Sequence, residues 1–222
     1  MQGVLYSKAK GEKLVITQFK CPEKEAEGLY LSNGSKFISF VKQVKSVDEA
    51  KEFIASLRKK HPFASHICYA YSILENLGRT IKSRSSDDKE PSGTAGKPIL
   101  ECLKNNDLNN TIICVVRYFG GTLLGASNLL RAYVNASQKA IDEAHLVTKK
   151  LSTKFEVGVG YNELSKVEAF LNNKNCSVLD TEFAEDIYLT VAVPSEFESF
   201  KEEVQNLLGH SADITKLSEE FV

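Results

Sequence analysis

Several features are scarce in this chain of 222 residues, and each absence excludes a class of protein. There is no tryptophan, one methionine, and no stretch approaching 18 uncharged apolar residues, so a membrane-spanning helix is not expected. Residues 1–10 lack the apolar segment of a signal peptide. The cysteines are odd in number and none forms a CxxC pair: Cys21, Cys68, Cys102, Cys114 and Cys176. This usage argues against a disulfide framework and a zinc ribbon, and it favours a cytoplasmic protein without membrane contact.

Charge is unevenly distributed along the chain. Residues 1–144 carry 21 Lys and Arg against 15 Asp and Glu, a balance of +6, whereas residues 145–222 have a balance of −7. In a chain long enough for two small domains, this asymmetry predicts an N-terminal domain over 1–144 and a C-terminal domain over 145–222. A basic N-terminal domain attracts phosphate backbones or an acidic protein. The alternative is that the charge is spread over the whole surface and attracts nothing in particular.

Local patterns predict alternating strands and helices in the N-terminal domain. Ser46 and Glu49 fit a capping box, and the spacing of the apolar residues that follow predicts a helix ending near Lys60. The other predicted elements are strands at 4–6, 14–17, 36–44, 66–74, 79–83 and 111–119, a loop at 85–93, a helix from a Thr94 cap to about 105, and a helix at 126–144.

The C-terminal domain has a more regular pattern. The predicted elements are a strand at 151–159, a helix at 163–172, strands at 176–183 and 187–193, a helix from 194 to a C′ residue at Gly209, and a strand at 212–222. The order βαββαβ is that of the ferredoxin-like split βαβ arrangement. The predicted fold class is therefore α+β, with two domains.

Two glycine-containing loops, the first at residues 93–97 and the second at residues 120–125, stand at predicted helix starts. Because backbone N–H groups at a helix start attract anions, either loop is a candidate phosphate site. Neither fits a Walker A loop, and no GxGxxG fingerprint follows a strand, so no nucleotide cofactor is expected. The alternative is that both loops serve tight turning and close packing. Their candidate binding residues are Gly93, Thr94, Gly96, Lys97, Gly120 and Gly121.

Charged residues near these loops are further candidates for a binding site. Asp88 and Glu90 are either a carboxylate pair for acid–base chemistry or Mg²⁺, or part of a solvated charged loop. Arg117 lies within an apolar strand, so it is either buried and paired or placed at the strand end facing a ligand. Arg131 raises the same question, and Arg84 adds positive charge near the first loop.

No catalytic or metal-binding set emerges from the remaining residues. His61 and His66 are five apart, a spacing that suits neither one helical face nor one strand face. Cys68, Cys102 and Cys114 lie in apolar surroundings, where a structural thiol is usual. The sequence contains no GxSxG and no HExxH. We therefore expect no catalytic residue, no metal and no cofactor.

Three stretches carry a resemblance to a known family. They are HICYAY at 66–71, SDDKEPSGTAGKPIL at 86–100, and VVRYFGGTLLG at 115–125 with LRAY at 130–133. In combination these signatures resemble the IMPACT/YigZ family over residues 1 to about 140. The remainder is similar in pattern to the smaller second domain of the bacterial members.

Two departures from the family pattern affect the loops. Lys89 stands where the family usually has glycine, which restricts the loop backbone if that position has a positive φ. Ser127 and Asn128 stand where a glycine pair is usual, near the start of a helix, so the close backbone approach that glycine allows is not expected there.

The resemblance implies a fold and a biological setting. It implies an N-terminal domain with the ribosomal protein S5 domain-2-like fold, similar to domain IV of elongation factor G, and a second domain similar to the ferredoxin-like domain V of that factor. Eukaryotic relatives regulate translation initiation by binding the ribosome-associated activator of the amino-acid starvation kinase, and they carry an additional RWD domain. Bacterial relatives look like nucleic-acid or ribosome-associated proteins. Some carry a proline-dipeptidase label, but the metal ligands that such a peptidase needs are not evident here.

The favoured interpretation is a non-enzymatic, translation-associated regulatory protein. It binds the ribosome, RNA or a translation factor through its basic N-terminal domain, where we expect the two glycine loops to lie close together and form one basic concavity. One alternative is a hydrolase or other enzyme that uses the Asp88/Glu90 loop with Arg117. Another is a protein–protein adaptor without RNA contact.

Overall fold

The computed structural model describes residues 5–7, 15–209 and 212–222, and the chain divides into two compact units, residues 1–148 and 149–222. The first residues of the predicted strands at 4–6 and 14–17, Val4 and Leu14, lie outside the described residues. Among the helices of the described part, none has the length and apolar character needed to cross a membrane.

The first unit is a mixed arrangement of strands and helices around one central sheet. Its described elements are β1 (Leu5–Ser7), β2 (Val15–Pro22), β3 (Ala26–Ser32), β4 (Ser35–Gln43), α1 (Val47–Lys60), β5 (His66–Glu75), β6 (Thr80–Ser86), α2 (Gly96–Asn105), β7 (Thr111–Tyr118) and α3 (Ala126–Glu143). A five-stranded sheet has the order β3-β4-β7-β5-β6, with every neighbouring pair antiparallel. β1 pairs with β2, also antiparallel.

The central sheet is covered on both faces. Strand β7 alternates between them: Ile113 and Val115 belong to the core beneath α2 and α3, whereas Ile112, Cys114 and Val116 belong to the core beneath α1. All five side chains are fully buried, and each large apolar one contributes roughly 1.5–3 kcal/mol by burial. The continuous apolar run correctly predicts a strand that is buried on both faces.

Helix α1 begins where its sequence predicts. Ser46 is the N-cap, and its Oγ accepts a hydrogen bond from the Glu49 N–H at 3.1 Å. The reciprocal bond of the capping box is shifted by one residue, because the Glu49 carboxylate accepts from the Lys45 N–H at 2.8 Å. The helix ends at Lys60, as predicted from Pro62.

Strand β3 is not among the individually predicted strands, because its apolar pattern is inverted. Ala26, Gly28 and Tyr30 point toward α3, while the larger Leu29 and Leu31 are exposed on the outer face. A strand whose buried face is made of small residues gives no strong alternation signal.

The contact between β3 and α3 requires a glycine. A Cβ atom at Gly28 would lie 2.5 Å from the Ala140 backbone nitrogen. The Ser39 hydroxyl on the neighbouring strand donates to the Ala136 carbonyl at 2.6 Å, which ties the helix to the sheet.

Two predictions about element ends in this unit are wrong. β2 runs to Pro22, so it continues past the end of the predicted strand at 14–17. Thr94 is not the N-cap of α2: Ala95 holds that position without a side-chain cap, and the Thr94 hydroxyl instead donates to the Pro91 carbonyl at 2.6 Å.

The second unit has the predicted order of elements. They are β8 (Leu146–Val159), α4 (Leu164–Asn173), β9 (Ser177–Phe183), β10 (Ile187–Pro194), α5 (Phe200–Leu208) and β11 (Ile214–Phe221). The strands pair antiparallel in the order β9-β10-β8-β11, as in the ferredoxin-like arrangement. α5 begins at Phe200, later than predicted, and Gly209 ends it with a φ of 71°.

Candidate functional site

One end of the five-stranded sheet collects the connections that carry the predicted motifs. We call it the loop end: β4 and β5 begin there, β6 and β7 end there, and it comprises residues 33–34, 61–65, 87–95 and 119–125. Its loops are tied to one another. The Ser65 N–H donates to the Arg117 carbonyl at 2.8 Å, and the Phe119 N–H donates to the Ser65 hydroxyl at 3.1 Å.

The first glycine loop already holds an anion that belongs to the protein. The Asp87 carboxylate accepts hydrogen bonds from the N–H groups of Gly93, Ala95 and Gly96 at 2.9, 3.0 and 2.8 Å. Burial by itself would raise the pKa of Asp87, but these three donors outweigh it and hold the pKa below its usual range. Asp87 therefore occupies the helix start that the sequence suggests for a phosphate.

Close packing fixes the position of this loop on the sheet. A Cβ atom at Gly96 would lie 2.7 Å from the Ser86 backbone, so α2 can start here only with glycine. Lys89, which stands at the position where the resemblance implies glycine, has a φ of 72°, and Asp88 before it has a φ of 41°. The positive φ confirms that a non-glycine residue is strained at this point of the loop.

Asp88 is engaged by a cation from α1. Its two carboxylate oxygens accept from the Arg58 guanidinium at 3.0 and 3.3 Å, and one also accepts from the Ile67 N–H at 2.7 Å. Burial opposes ionisation of Asp88, but these bonds prevail and lower its pKa. Asp88 lines a cavity of about 270 Å³ together with Arg58, His61 and Lys89.

Glu90 is the centre of a buried polar cluster. Its Oε1 accepts from the Arg117 guanidinium at 2.6 Å and from the Tyr133 hydroxyl at 2.7 Å. The Cys68 thiol donates to the Tyr133 oxygen at 3.3 Å, and His66 Nε2 lies 3.8 Å from Glu90 Oε2. Burial raises the pKa of Tyr133 and of Cys68 far above their usual ranges, so both remain protonated.

Arg117 is held by contacts on several sides. Only 5% of the residue is exposed, and its guanidinium lies over the rings of Phe37 and Phe119, 5.4 and 5.6 Å from their centroids. Its Nε is buried and has no hydrogen-bond partner among the described residues. Of the two options predicted for Arg117, the buried and paired one is correct, although the side chain also lines a cavity.

The second glycine loop is shaped by backbone contacts. A Cβ atom at Gly120 would lie 2.0 Å from the Gly34 carbonyl carbon, and Gly121 and Gly125 have φ values of 86° and 75°. These requirements bear out the alternative of tight turning and close packing for this loop. The loop also exposes apolar surface, because Leu123 is 86% exposed.

A cavity of about 370 Å³ lies between the two loops. Glu90 and Pro91, which lie just before the first glycine loop, line it, and so do residues 123–126 of the second. Its other lining residues are His66, Arg117, Phe119 and Leu129.

Of the predicted cations, Arg117 lines this cavity but Arg84, Lys97 and Arg131 do not, so the prediction of one basic concavity is wrong. The charge of Arg117 is countered by Glu90. Lys97, with Gly93, lines a different cavity of about 330 Å³ between α2 and α3. Arg131 is exposed on α3, and Arg84 is exposed on edge strand β6, opposite Tyr71 of the core beneath α1.

Asp88 and Glu90 do not converge as a carboxylate pair. They line different cavities, and each is engaged by its own arginine, Arg58 or Arg117. Over the residues that the structure describes, no group of three or more His, Cys, Asp or Glu side chains is arranged to hold a metal ion.

Sequence reasoning missed the partners that organise the site. The role of Asp87 could have been predicted from the sequence, because an Asp six residues before Gly93 and nine before Gly96 can reach the helix start as an anion. His66 and Tyr133 gave no local signal, since they approach Glu90 only through the folding of β5 and α3.

Comparisons with known proteins define the class to which this fold and site belong. The Impact N-terminal domain model matches residues 33–141, and a domain of unknown function, DUF1949, matches residues 157–209. The chain belongs to the IMPACT family.

Individual relatives agree along most of the chain. It is 35% identical over 181 residues to IMPACT family member YvyE of Bacillus subtilis, covering 81% of this chain and 82% of YvyE. It is 33% identical over 164 residues to IMPACT family member YigZ of Escherichia coli, covering 72% of this chain and 78% of YigZ. A crystal structure described only as that of a hypothetical protein superposes with a TM-score of 0.59 at 27% identity, covering 93% of this chain and all of the other.

Proposed function

We propose that this protein is a non-enzymatic, translation-associated regulatory protein that binds the ribosome, RNA or a translation factor through its basic N-terminal domain. Membership of the IMPACT family supports this function, because the resemblance implies that eukaryotic members regulate translation initiation. We place the contact surface at the loop end of the sheet.

The observation that carries the proposal is the charge left exposed at this end. The three carboxylates that precede the first glycine loop are engaged within the domain: Asp87 by backbone N–H groups, Asp88 by Arg58, and Glu90 by Arg117 and Tyr133. Nearby lysines remain exposed, and within the described residues none of them makes an ion pair: Lys36, Lys60, Lys89 and Lys97. The resulting surface is positive and suits phosphate groups.

Ribosome co-sedimentation across a salt series tests this function. For the full chain, the logarithm of affinity should fall linearly with the logarithm of salt concentration. The variant Lys89→Gln with Lys97→Gln should lower the slope by about two, because each lost phosphate contact lowers it by about one.

A matched control carries the same charge change at the other end of the domain. Lys45 follows β4 and Arg79 lies in the turn between β5 and β6; both are exposed, and neither makes an ion pair with a described residue. Lys45→Gln with Arg79→Gln should leave the slope unchanged. If both double variants behave alike, the contact surface is not at the loop end.

The adaptor function remains a second candidate because of the exposed apolar side chains at this end. Phe63 is 89% exposed, and Leu123 is similarly exposed. An apolar protein partner would bind with little dependence on salt. If the wild-type chain still co-sediments with ribosomes at high salt and the variant Phe63→Ser with Leu123→Ser does not, the adaptor function is favoured over RNA contact.

A further inference from the structure

The cavity between the two loops combines apolar walls with a polar floor. Its walls include Phe119, Leu123, Leu124 and Leu129, and its volume of about 370 Å³ falls within the roughly 300–1,000 Å³ of small-ligand pockets. The floor is formed by the polar cluster around Glu90.

Hydrogen positions on the floor follow from the bonds that are already made. His66 Nδ1 lies 2.8 Å from the Asp88 carbonyl oxygen, which can only accept, so Nδ1 carries the proton. In the neutral form of the imidazole, Nε2 is then the acceptor nitrogen. Glu90 Oε1 has two donors, whereas Oε2 makes no hydrogen bond to any described residue and lies 3.8 Å from His66 Nε2. Two acceptors therefore face each other across a gap that a donor can fill.

A donor stands next to this pair of acceptors. Arg117 uses Nη1 for Glu90, which leaves donor capacity on the rest of its guanidinium. The floor thus offers two adjacent acceptors and one donor. Its charge balances, because Glu90 and Arg117 neutralise each other, so a neutral polar ligand fits better than an ion.

We propose that this cavity binds one unpaired nucleobase that carries an exocyclic amino group. The amino group donates to Glu90 Oε2 and His66 Nε2, the adjacent ring acceptor receives the Arg117 donor, and the ring packs against Phe119 and the leucines. Adenine, cytosine and guanine present an amino group beside a ring acceptor, whereas uracil presents one N–H between two carbonyls. Uracil would set a carbonyl oxygen against one of the acceptors.

The surroundings favour a base within a single strand of RNA. Single-stranded RNA is recognised by bases that leave the stack and insert between aromatic or apolar side chains. The lysines at the loop end supply the positive charge that a strand's phosphates need. This inference rests on the proposed function, since it names the part of an RNA that the same surface takes.

Binding of short RNAs to the full chain tests the pocket. Calorimetry at low salt and pH 8 with hexanucleotides of adenine, cytosine or uracil should give adenine and cytosine affinities at least roughly tenfold above that of uracil, the discrimination expected of one good base contact. AMP, CMP and UMP form a second set of probes. If AMP and CMP bind more tightly than UMP, with affinities comparable to those of the hexanucleotides, the pocket binds bases and its ligand is a free nucleotide. If adenine and cytosine are preferred over uracil only in the hexanucleotides, the ligand is RNA.

A substitution that fills the cavity can be compared with the same substitution at a neighbouring residue outside it. Ala126 lines the cavity and is exposed in the first turn of α3, and its exposed neighbour Ser127 does not line it. Ala126→Leu should abolish the preference over uracil, and Ser127→Leu should retain it. Equal affinities for the three hexanucleotides, or an unchanged preference in Ala126→Leu, would overturn the pocket.

The outcomes separate this inference from the proposed function. Ribosome binding with a salt slope that depends on Lys89 and Lys97, without any base preference, overturns the pocket alone. If the wild-type chain shows no salt-dependent ribosome binding, the proposed function and the assignment of the pocket to RNA are both wrong.

Discussion

Arg117 shows how a charged side chain is accommodated inside an apolar strand. It lies between two aromatic rings and against Glu90, which is also bound by Tyr133. Removing one partner of such a pair leaves the other charge buried without compensation. This arginine therefore supports the fold as well as lining the cavity.

Arg117 and Arg131 should respond differently to loss of charge. Arg117→Gln should lower the free energy of unfolding by about 3–5 kcal/mol, because Glu90 is left buried and unpaired. Arg131→Gln should change it by less than about 0.5 kcal/mol, because its side chain is exposed. Urea denaturation of the two variants measures both values. An Arg117→Gln protein with the same free energy of unfolding as the wild type would show that burial of the Glu90 carboxylate does not require Arg117.

Asp87 should stabilise the fold in a pH-dependent manner. Asp87→Asn should destabilise the protein by about 1–3 kcal/mol near pH 7, because three backbone donors lose a charged acceptor. Since the pKa of Asp87 is lowered by folding, its contribution is present above the unfolded-state pKa of about 3.9 and is lost as the pH falls through the folded value.

Denaturant melts between pH 7 and pH 2.5 measure this dependence. The difference in stability between the wild type and Asp87→Asn should be largest near neutrality and should shrink below pH 4. A difference that stays constant over this range would mean that the carboxylate's charge is not what stabilises the loop.

At the scale of elements, the sheet is positioned by places where no side chain fits. Gly28 allows α3 to approach β3, Gly96 allows α2 to start against β6, and Gly120 allows the second loop to cross residue 34. These contacts hold the two glycine loops on either side of one cavity. The same close approaches require glycine at one position in each loop, Gly96 and Gly120.

Gly28→Ala should weaken the packing of α3 on the sheet. The new Cβ would overlap the Ala140 backbone nitrogen, so the helix must move, at a cost of roughly 1–3 kcal/mol. Hydrogen exchange should become faster in α3 than in α1, which lies on the other face. Glu27→Ala, an exposed change on the same strand, is the control and should leave both helices protected.

Over the chain as a whole, the charge balance changes sign near residue 145. This position is close in sequence to the division between the compact units 1–148 and 149–222. His145 makes two bonds to Glu23: its carbonyl accepts from the Glu23 N–H at 2.9 Å, and its Nδ1 lies 2.8 Å from a Glu23 carboxylate oxygen. A fragment that ends at residue 144 loses both contacts.

We predict that the N-terminal unit folds independently. A fragment of residues 1–148 should give a well-dispersed amide NMR spectrum, and a fragment of residues 1–144 should also fold but with lower thermal stability. A collapsed, poorly dispersed spectrum from 1–148 would show that the N-terminal domain needs the second unit.

Apart from β3, the order of elements could be predicted from the sequence alone, and so could the family. Patterns that are local in the chain, such as the Ser46 cap, the doubly buried β7 and the βαββαβ order, depend on neighbouring residues and are therefore readable in advance. The inverted pattern of β3 and the partners of Asp88 and Glu90 could not be predicted in this way, because they depend on α3, α1 and β7 folding around residues distant in the chain. The pairing of Arg117 with Glu90 and of Arg58 with Asp88 follows from the tertiary structure alone, because a charged side chain is neutralised by a partner that is near in space, here 27 and 30 residues away in the chain.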